Sequence, residues 1–252
     1  MSQLFNLQDK VAAVTGGTRG IGQSIAIGLA EQGANIALLQ RSTKNTETKE
    51  IIESLGVTCE IIPCDLMQLE QVKEAIPLTI ERMGSLDILV NSGGIQRRSP
   101  AVDFLEEDWD DVIQVNLKSV WLLCQQAGKH MIPKKSGKII NIASVATYQG
   151  GLYVPAYAAS KGAIGQLTKS LANEWSQHHI NVNAIVPGYI STDMNEAIID
   201  DPERSRQILE RIPAGYWGTP EDFKGAAVFL ASDAANYVHG HLLAVDGGWL
   251  GR

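Results

Sequence analysis

A phenol and an ammonium group stand one helical turn apart in the second half of the chain. Tyr157 and Lys161 are separated by three residues, so on a helix they share a face. A free phenol has a pKa of about 10, and a neighbouring cation lowers it by favouring the phenolate. These two side chains predict a general acid or base, although this spacing also arises by chance in helices.

A hydroxyl group lies a short way upstream of this pair. Ser144 follows the apolar run 139–143, which is typical of a strand, and its hydroxyl could donate a hydrogen bond to a substrate oxygen. A serine after a strand is also a common turn residue. With Tyr157 and Lys161, it predicts proton transfer at an oxygen of a small molecule.

A glycine-rich turn near the N-terminus predicts a phosphate site. The apolar run 11–15 leads into glycines spaced G-x-x-x-G-x-G, followed by a helix-like segment. Glycines also serve plain turns, but between a strand and a helix they let backbone N–H groups approach a pyrophosphate. The candidate nucleotide-binding residues here are Gly16, Thr18, Arg19, Gly20, Ile21 and Gly22.

The end of the second predicted strand bears on the choice of nucleotide. Sites specific for NAD place Asp or Glu there, on the ribose 2′-OH. This chain has Gln40 and Arg41 and no acid. Arg41, with Arg19 nearby, could bind a 2′-phosphate, although both arginines could simply face solvent. The sequence favours NADP(H), with NAD(H) possible.

The elements that must position these groups alternate along the chain. Seven short apolar runs are typical of strands buried on both faces, at 11–15, 35–39, 58–63, 86–91, 138–142, 181–186 and 242–245. Between them, apolar residues recur at helical spacing, most clearly at 21–32, 69–83, 109–131, 156–177 and 220–232. This order predicts one α/β domain over 1–252, with a doubly wound parallel sheet of about seven strands and helices on both faces.

Two long interruptions follow strands, at 92–108 and 187–219. In doubly wound sheets the ligand binds beyond the carboxyl ends of the strands. We expect a substrate lid at 190–215, because this segment carries isoleucines and a leucine able to cover an apolar cavity.

Composition excludes several classes of function. The 252 residues carry a net charge of −7 and no basic stripe, which argues against a nucleic-acid partner. There is no signal-peptide pattern and no apolar run long enough to span a membrane. The three cysteines have no CxxC spacing, and the histidines have no ligand partners at metal-binding spacing. We expect a cytoplasmic protein with a small-molecule substrate, no membrane or nucleic-acid partner and no metal.

Taken together, the motifs resemble the short-chain dehydrogenase/reductase family over essentially the whole length. The match rests on the glycines above and on Asp65, Asn91, Asn116, Ser144, Tyr157, Lys161, Pro187 and Gly188. The resemblance implies interconversion of a ketone and a secondary alcohol by hydride transfer. Tyr157 would be the general acid or base, Ser144 would polarise the substrate oxygen, Lys161 would bind the nicotinamide ribose and lower the phenol pKa, and Asn116 would hold a relay water.

The same resemblance implies further cofactor contacts and an assembly. Those contacts are Asp65, Leu66, Asn91, Gly93, Tyr157, Lys161, Pro187, Gly188, Ile190 and Thr192. Family members are usually tetramers, so we expect a homotetramer, with Trp249 near the C-terminus as a subunit contact. A family member without strong activity, serving as a nucleotide sensor or scaffold, is the alternative; such proteins have usually lost Ser144, Tyr157 or Lys161.

Within the family, the chain is most similar to enzymes of the 2-dehydro-3-deoxy-gluconate 5-dehydrogenase subgroup. The shared segments include 95–98, 108–111, 148–151, 211–214 and 244–249. Such enzymes act on sugar acids, and Arg97 or Arg98 could bind the carboxylate. However, the subgroup has arginine where this chain has Tyr153 and Tyr216, so a less polar cyclic or aromatic ketone competes. The expected substrate contacts are Ile95, Arg97, Ser144, Tyr153, Tyr157, Tyr189, Met194 and Tyr216, with Trp217 beside them.

Overall fold

The protein is built on one parallel sheet. The computed structural model describes residues 3–252, and its seven strands lie in the order β3-β2-β1-β4-β5-β6-β7. The strands are β1 (Val11–Thr15), β2 (Asn35–Gln40), β3 (Cys59–Pro63), β4 (Ile88–Asn91), β5 (Gly137–Ile142), β6 (Ile180–Pro187) and β7 (Leu242–Val245). All neighbouring strands are parallel, which confirms the predicted doubly wound architecture.

Helices follow most of the strands. They are α1 (Gly20–Glu31), α2 (Glu47–Ser54), α3 (Leu69–Met83), α4 (Glu106–Ile113), α5 (Ser119–Lys134), α6 (Pro155–Trp175), α7 (Glu196–Ile199), α8 (Pro202–Leu209) and α9 (Lys224–Ala231). A π-helical turn, Gln114–Lys118, joins α4 to α5. No helix in the described part of the chain is both long enough and apolar enough to cross a membrane.

Two apolar cores lie on opposite faces of the sheet. One contains side chains of α1, α2 and α9, and the other contains side chains of α3, α5 and α6. Successive residues of a strand face opposite sides, so Ala12 enters one core and Ala13 the other. Because every central strand is covered on both faces, its sequence is apolar without alternation.

Two differences from the expected elements have physical reasons. α2 has no counterpart among the expected helices, because it is mostly polar and buries only Thr48 and Ile52. The predicted helix 109–131 begins earlier and is divided by the π-helical turn. The expected lid holds α7, α8 and a short 3-10 turn, Asp193–Asn195.

The strand order reverses between β1 and β4. Connections from these neighbouring strands run to opposite sides of the sheet, which opens a crevice at their carboxyl ends. Most of the predicted site residues follow the carboxyl ends of the parallel strands, which lie at the same edge of the sheet.

Candidate active site

The loops after β1 and β4 meet at the crevice. The Thr15 hydroxyl oxygen accepts hydrogen bonds from the backbone N–H groups of Ser92 (3.0 Å) and Gly93 (2.9 Å). Gly16 has a positive φ of 67°, and a Cβ there would stand 3.0 Å from the Gly93 backbone. Glycine is therefore required at position 16 by both conformation and space.

The helix after this loop presents uncapped N–H groups. α1 begins at Gly20, and the side chain of the preceding residue, Arg19, makes no capping hydrogen bond. No acidic residue stands in the first turn. The N-terminus of α1 has backbone N–H donors without a side-chain cap, and the glycines before it leave room for a ligand to come close. These two features fit the pyrophosphate of a dinucleotide.

The end of β2 carries a buried amide in place of a carboxylate. Gln40 donates from Nε2 to the carbonyl oxygens of Ser42 (2.6 Å) and Asn45 (2.8 Å), which holds the following loop. Its Oε1 is buried without a hydrogen-bond partner in the protein. Arg41 beside it is exposed, and no negative charge at position 40 opposes a 2′-phosphate there.

Three of the predicted cofactor contacts, Asp65, Leu66 and Gly93, lie in the neighbouring loops after β3 and β4. A Cβ on Gly93 would stand 2.6 Å from the Leu66 side chain, so the loops after β3 and β4 touch. Asp65 accepts a hydrogen bond from the Met67 N–H (3.0 Å), which shapes the turn before α3. The Asn91 side chain instead points into the core and donates to Asn141 Oδ1 (2.9 Å). The cofactor contact predicted for Asn91 would therefore have to be made by its backbone.

The segment expected to form a lid begins against the glycine-rich loop after β1. Pro187 ends β6, and Gly188 follows it, packed against Asp246. Ile190 pairs with Gly218 in an isolated bridge. A Cβ on Gly20 would lie 3.6 Å from the Thr192 methyl group. Arg19 also forms an exposed ion pair with Asp193 at 2.7 Å, so the loop and the lid approach each other directly.

Tyr157 and Lys161 lie near the start of α6. Lys161 Nζ stands 5.7 Å from the centre of the Tyr157 ring and donates to the Ile142 carbonyl oxygen at 2.6 Å. Lys161 is 6% exposed, and burial lowers the pKa of its ammonium group to about 8. The end of β5 therefore holds this ammonium beside the phenol.

Ser144 completes the group from the other side. It follows β5 by one residue and starts the turn Val145–Thr147, where its Oγ accepts from the Ala146 N–H at 3.1 Å. Burial raises the pKa of the Tyr157 phenol, while hydrogen bonding with Ser144 and the positive charge of Arg98 lower it. Because burial is the largest of these effects, the pKa of the phenol is raised and the phenol is protonated at neutral pH.

Asn116 lies in the π-helical turn, a feature often found at functional sites. Its Oδ1 accepts from the Ile95 N–H (2.8 Å), and its Nδ2 donates to the Ile95 carbonyl (2.9 Å) and to Ser160 Oγ (3.2 Å). A Cβ on Gly94 would lie 4.0 Å from Lys161 Nζ. The Asn116 side chain thus fixes the loop beside Lys161, and a relay water would need its backbone carbonyl.

The predicted carboxylate contact at Arg97 needs correction. The Arg97 guanidinium is held by two acids of α4, with Nε 3.0 Å from Asp108 Oδ1 and a terminal nitrogen 3.4 Å from Asp111 Oδ2. Arg98 is exposed, makes one hydrogen bond to Gln96 and is close enough to Tyr157 to lower its pKa. Arg98 is therefore the better placed cation.

The large aromatic and apolar residues expected around the substrate divide into two groups. Tyr153, Met194 and Tyr216 are exposed at 58%, 42% and 60%, which places them in the surface of the loops. Tyr153 also has a positive φ of 63°, a strained conformation for a residue with a side chain. Its carbonyl accepts from the Ser99 N–H at 3.0 Å, which joins two of the loops.

The second group forms a cluster beneath the lid. The Tyr189 ring lies 4.5 Å from the Trp249 ring and 5.6 Å from the Trp217 ring, between centroids. Arg211 stacks on Trp249 at 3.9 Å and donates to Gln149 Oε1 at 3.1 Å. Trp249 is 4% exposed, so it belongs to the core of its own protomer, and its expected role as a subunit contact is wrong.

Within residues 3–252, no group of three or more His, Cys, Asp and Glu side chains is arranged to hold a metal ion. The groups described at this site are the glycine-rich loop after β1, the residues at the strand ends and the side chains around Tyr157.

Comparison with known proteins gives a consistent result. A family model described as enoyl-(acyl carrier protein) reductase, of the short-chain dehydrogenase type, matches residues 16–250. A 2-dehydro-3-deoxy-D-gluconate 5-dehydrogenase of Pseudoalteromonas atlantica is 50% identical, over 100% of both chains.

Solved structures agree over the same length. A protein of Agrobacterium tumefaciens described as a 2-deoxy-D-gluconate 3-dehydrogenase, with bound NADP, is 46% identical and gives a TM-score of 0.91 over 100% of both chains. A gluconate 5-dehydrogenase of Burkholderia cenocepacia, in complex with NADP and tartrate, is 39% identical and gives a TM-score of 0.95 over 99% of this chain and 98% of its own.

Proposed function

Because this chain belongs to the short-chain dehydrogenase/reductase family, we propose that it interconverts a ketone and a secondary alcohol of a gluconate-type sugar acid with NADP(H). The observation that carries the proposal is the placement of Ser144, Tyr157 and Lys161 together beside a dinucleotide crevice. The relatives named above act on gluconate derivatives, and two of the solved structures hold NADP.

The side chains divide the proton chemistry between them. When bound, the nicotinamide supplies or accepts the hydride. In reduction, Tyr157 donates its proton to the substrate oxygen, and Ser144 donates a hydrogen bond to the same atom. In oxidation, Tyr157 takes the proton back. Lys161, still mostly protonated at neutral pH with a pKa of about 8, stabilises the phenolate that forms when Tyr157 gives up its proton.

A sugar acid brings a carboxylate that requires a cation. Arg98 is the exposed arginine whose charge reaches Tyr157, while Arg97 is held by Asp108 and Asp111. A planar guanidinium can bind a carboxylate through two parallel hydrogen bonds. The tartrate complex of the Burkholderia relative shows a hydroxylated dicarboxylate bound to a protein of this fold, which supports an acid substrate.

A panel of substrates tests this proposal. We expect NADPH oxidation with keto acids derived from gluconate and none, or far slower oxidation, with neutral aryl and alicyclic ketones. Preference for the neutral ketones would favour the less polar substrate class. Turnover of no member of the panel, with NADPH still bound, would support a sensor or scaffold role.

The cofactor preference is tested at the end of β2. Arg41→Asp should weaken NADPH binding about tenfold or more, because the carboxylate repels the 2′-phosphate and the cation is lost. NADH binding should change by less than about threefold, since NADH lacks that phosphate. Fluorescence titration of both nucleotides measures this, with Lys73→Asp on the exposed face of α3 as the charge-matched control. Equal weakening of both nucleotides would show that Arg41 does not read the phosphate.

We also propose that the protein assembles as a homotetramer through α5 and α6. These helices touch at one point, where a Cβ on Gly128 would stand 2.9 Å from the Trp175 ring. Between them opens a cavity of about 420 Å³, and Trp121 at its edge is 43% exposed. An exposed tryptophan beside an apolar cavity is typical of a subunit contact.

Sedimentation velocity tests this surface. Trp121→Glu should shift the wild-type tetramer to smaller species, because it buries a charge in the contact. Tyr237→Glu changes a side chain that is 99% exposed and should leave the mass unchanged. A monomeric wild type, or a tetramer that survives Trp121→Glu, would contradict this assignment.

The cysteines fit the proposed cytoplasmic location. Cys59, Cys64 and Cys124 are free and buried, and burial raises the pKa of each thiol to about 12. Such thiols are poor nucleophiles, and free cysteines are typical of proteins in a reducing compartment.

A further inference from the structure

A polar cavity, different from the one between α5 and α6, opens at the opposite edge of the sheet from the candidate active site. It has a volume of about 310 Å³ and lies where β1, β4, β5 and β6 begin. Its charged and titratable lining consists of Lys10, Asp87, Lys135, Lys138, His179, Asp233 and His239. Three lysines against two aspartates leave one net positive charge in the lining, although the chain as a whole is acidic.

Lys138 is the central cation of this cavity. Its Nζ donates to Asn181 Oδ1 at 2.9 Å and to Asn236 Oδ1 at 2.6 Å. Both acceptors are neutral amides, and no carboxylate lies within ion-pair distance of Lys138 in the described part of the chain. An ammonium group has three donors, so one remains for a further partner.

The two aspartates are already engaged in the protein's own hydrogen bonds. Asp87 Oδ2 accepts from the Val11 N–H at 2.9 Å, and Asp233 Oδ1 accepts from Asn236 Nδ2 at 3.3 Å. Asn181 Nδ2 in turn lies within hydrogen-bond distance of the backbone carbonyls of Ala235, Asn236 and Val238. The buried Asn181 amide that accepts from Lys138 is therefore anchored by the protein.

Burial lowers the pKa of Lys138 to about 8, with the charge of Lys10 adding to that shift and the charge of Asp233 opposing it. The positive charge is thus only partly compensated by the protein. An anion in the cavity would supply the missing compensation and a hydrogen-bond acceptor at once.

We propose that this cavity is a binding site for a small doubly charged oxyanion, a phosphate group, held by Lys138 with Lys10 and Lys135 around it. The site is separate from the crevice at the carboxyl ends of the strands, so it does not depend on the reaction proposed above. Its ligand is either free phosphate or the phosphate group of a small ester, since the cavity has room for more than the oxyanion.

Calorimetric titration tests the site with inorganic phosphate. The protein is first saturated with NADPH, so that the crevice is occupied, and sodium chloride keeps the ionic strength constant. We expect one phosphate site in the wild type, binding about tenfold or more weaker in Lys138→Met, and binding within about twofold of wild type in Lys73→Met, which removes an exposed lysine elsewhere. Absence of binding above the chloride background, or equal binding by Lys138→Met, would overturn the proposal.

A pH series provides a test that does not depend on the truncated variant. Sulfate keeps its charge over the range, so affinity for sulfate should fall between pH 7.5 and 9.5 as Lys138, with a pKa of about 8, loses its proton. In Lys138→Arg the guanidinium stays charged, so the fall should be much smaller. An identical pH profile in both proteins would contradict the role of Lys138. Tighter binding of glycerol 3-phosphate than of inorganic phosphate would identify an ester as the ligand class, and the reverse would identify free phosphate.

Discussion

Tyr157→Phe is expected to lower kcat about 1,000-fold or more, because it removes the proton donor while keeping the ring. The ring packs beside Lys161 at 5.7 Å, so the variant should fold and should bind NADPH with an affinity within about twofold of wild type. Steady-state kinetics with a gluconate-derived keto acid and a fluorescence titration of NADPH measure the two quantities. Both are needed, since a loss of activity without retained binding would indicate damage to the fold.

A matched variant controls for loss of a phenol hydroxyl. Tyr237→Phe removes the same atom from a side chain that is 99% exposed, and its kcat should equal that of the wild type. If Tyr157→Phe kept a tenth or more of the wild-type kcat, proton donation by Tyr157 would be refuted, because general acid catalysis typically contributes at least about 100-fold.

Arg98→Met is expected to raise KM for sugar acids about 30-fold or more, which corresponds to the loss of a charge-assisted contact of about 2 kcal/mol. Neutral ketones should show little change in KM, since they have no carboxylate to bind. The ratio of the two KM changes is therefore the decisive quantity. Steady-state kinetics with one acid and one neutral ketone of similar size provide it.

A variant of the neighbouring Arg97 serves as the control, because it distinguishes a loss of substrate binding from a loss of structural support. Arg97 forms ion pairs with Asp108 and Asp111 of α4, so Arg97→Met should lower the melting temperature and affect acid and neutral substrates alike. The reverse pattern, with the acid-specific KM change in Arg97→Met and none in Arg98→Met, would return the carboxylate contact to Arg97.

The fold could be predicted because the apolar runs, the helical periodicity and the glycine-rich turn all indicate the same architecture. Near-continuous apolar runs mark strands covered on both faces, and the glycine-rich turn marks the first crossover. α2 was missed because it lies at the surface and buries only two side chains, which leaves little periodic signal. The long segment 190–215 was expected as a lid, and its division into α7 and α8 could not be predicted from the sequence.

The site was predicted by residue type better than by side-chain direction. Arg97 and Arg98 are adjacent and identical in type, and only the positions of Asp108 and Asp111 show which of them is held. Asn91 turns its amide into the core, and Trp249 packs under the lid of its own chain. These outcomes depend on tertiary contacts, which spacing along the chain does not determine.

Gln40 shows a different limit of the sequence. The absence of an acid at the end of β2 was visible, but the buried Oε1 without a partner follows from the bonds that its Nε2 makes to Ser42 and Asn45. That geometry gives Gln40 a role in holding the loop after β2, in addition to leaving the position uncharged.

Isotope transfer tests the central claim most directly. The wild-type protein is incubated with NADPH carrying deuterium at both positions of nicotinamide C4 and with a gluconate-derived keto acid, and the product is analysed by mass spectrometry and NMR. Hydride transfer predicts one deuterium on the carbon that was the ketone, in a product that is the secondary alcohol. NADPH oxidation without deuterium on that carbon, or no alcohol at all, would contradict the proposed function.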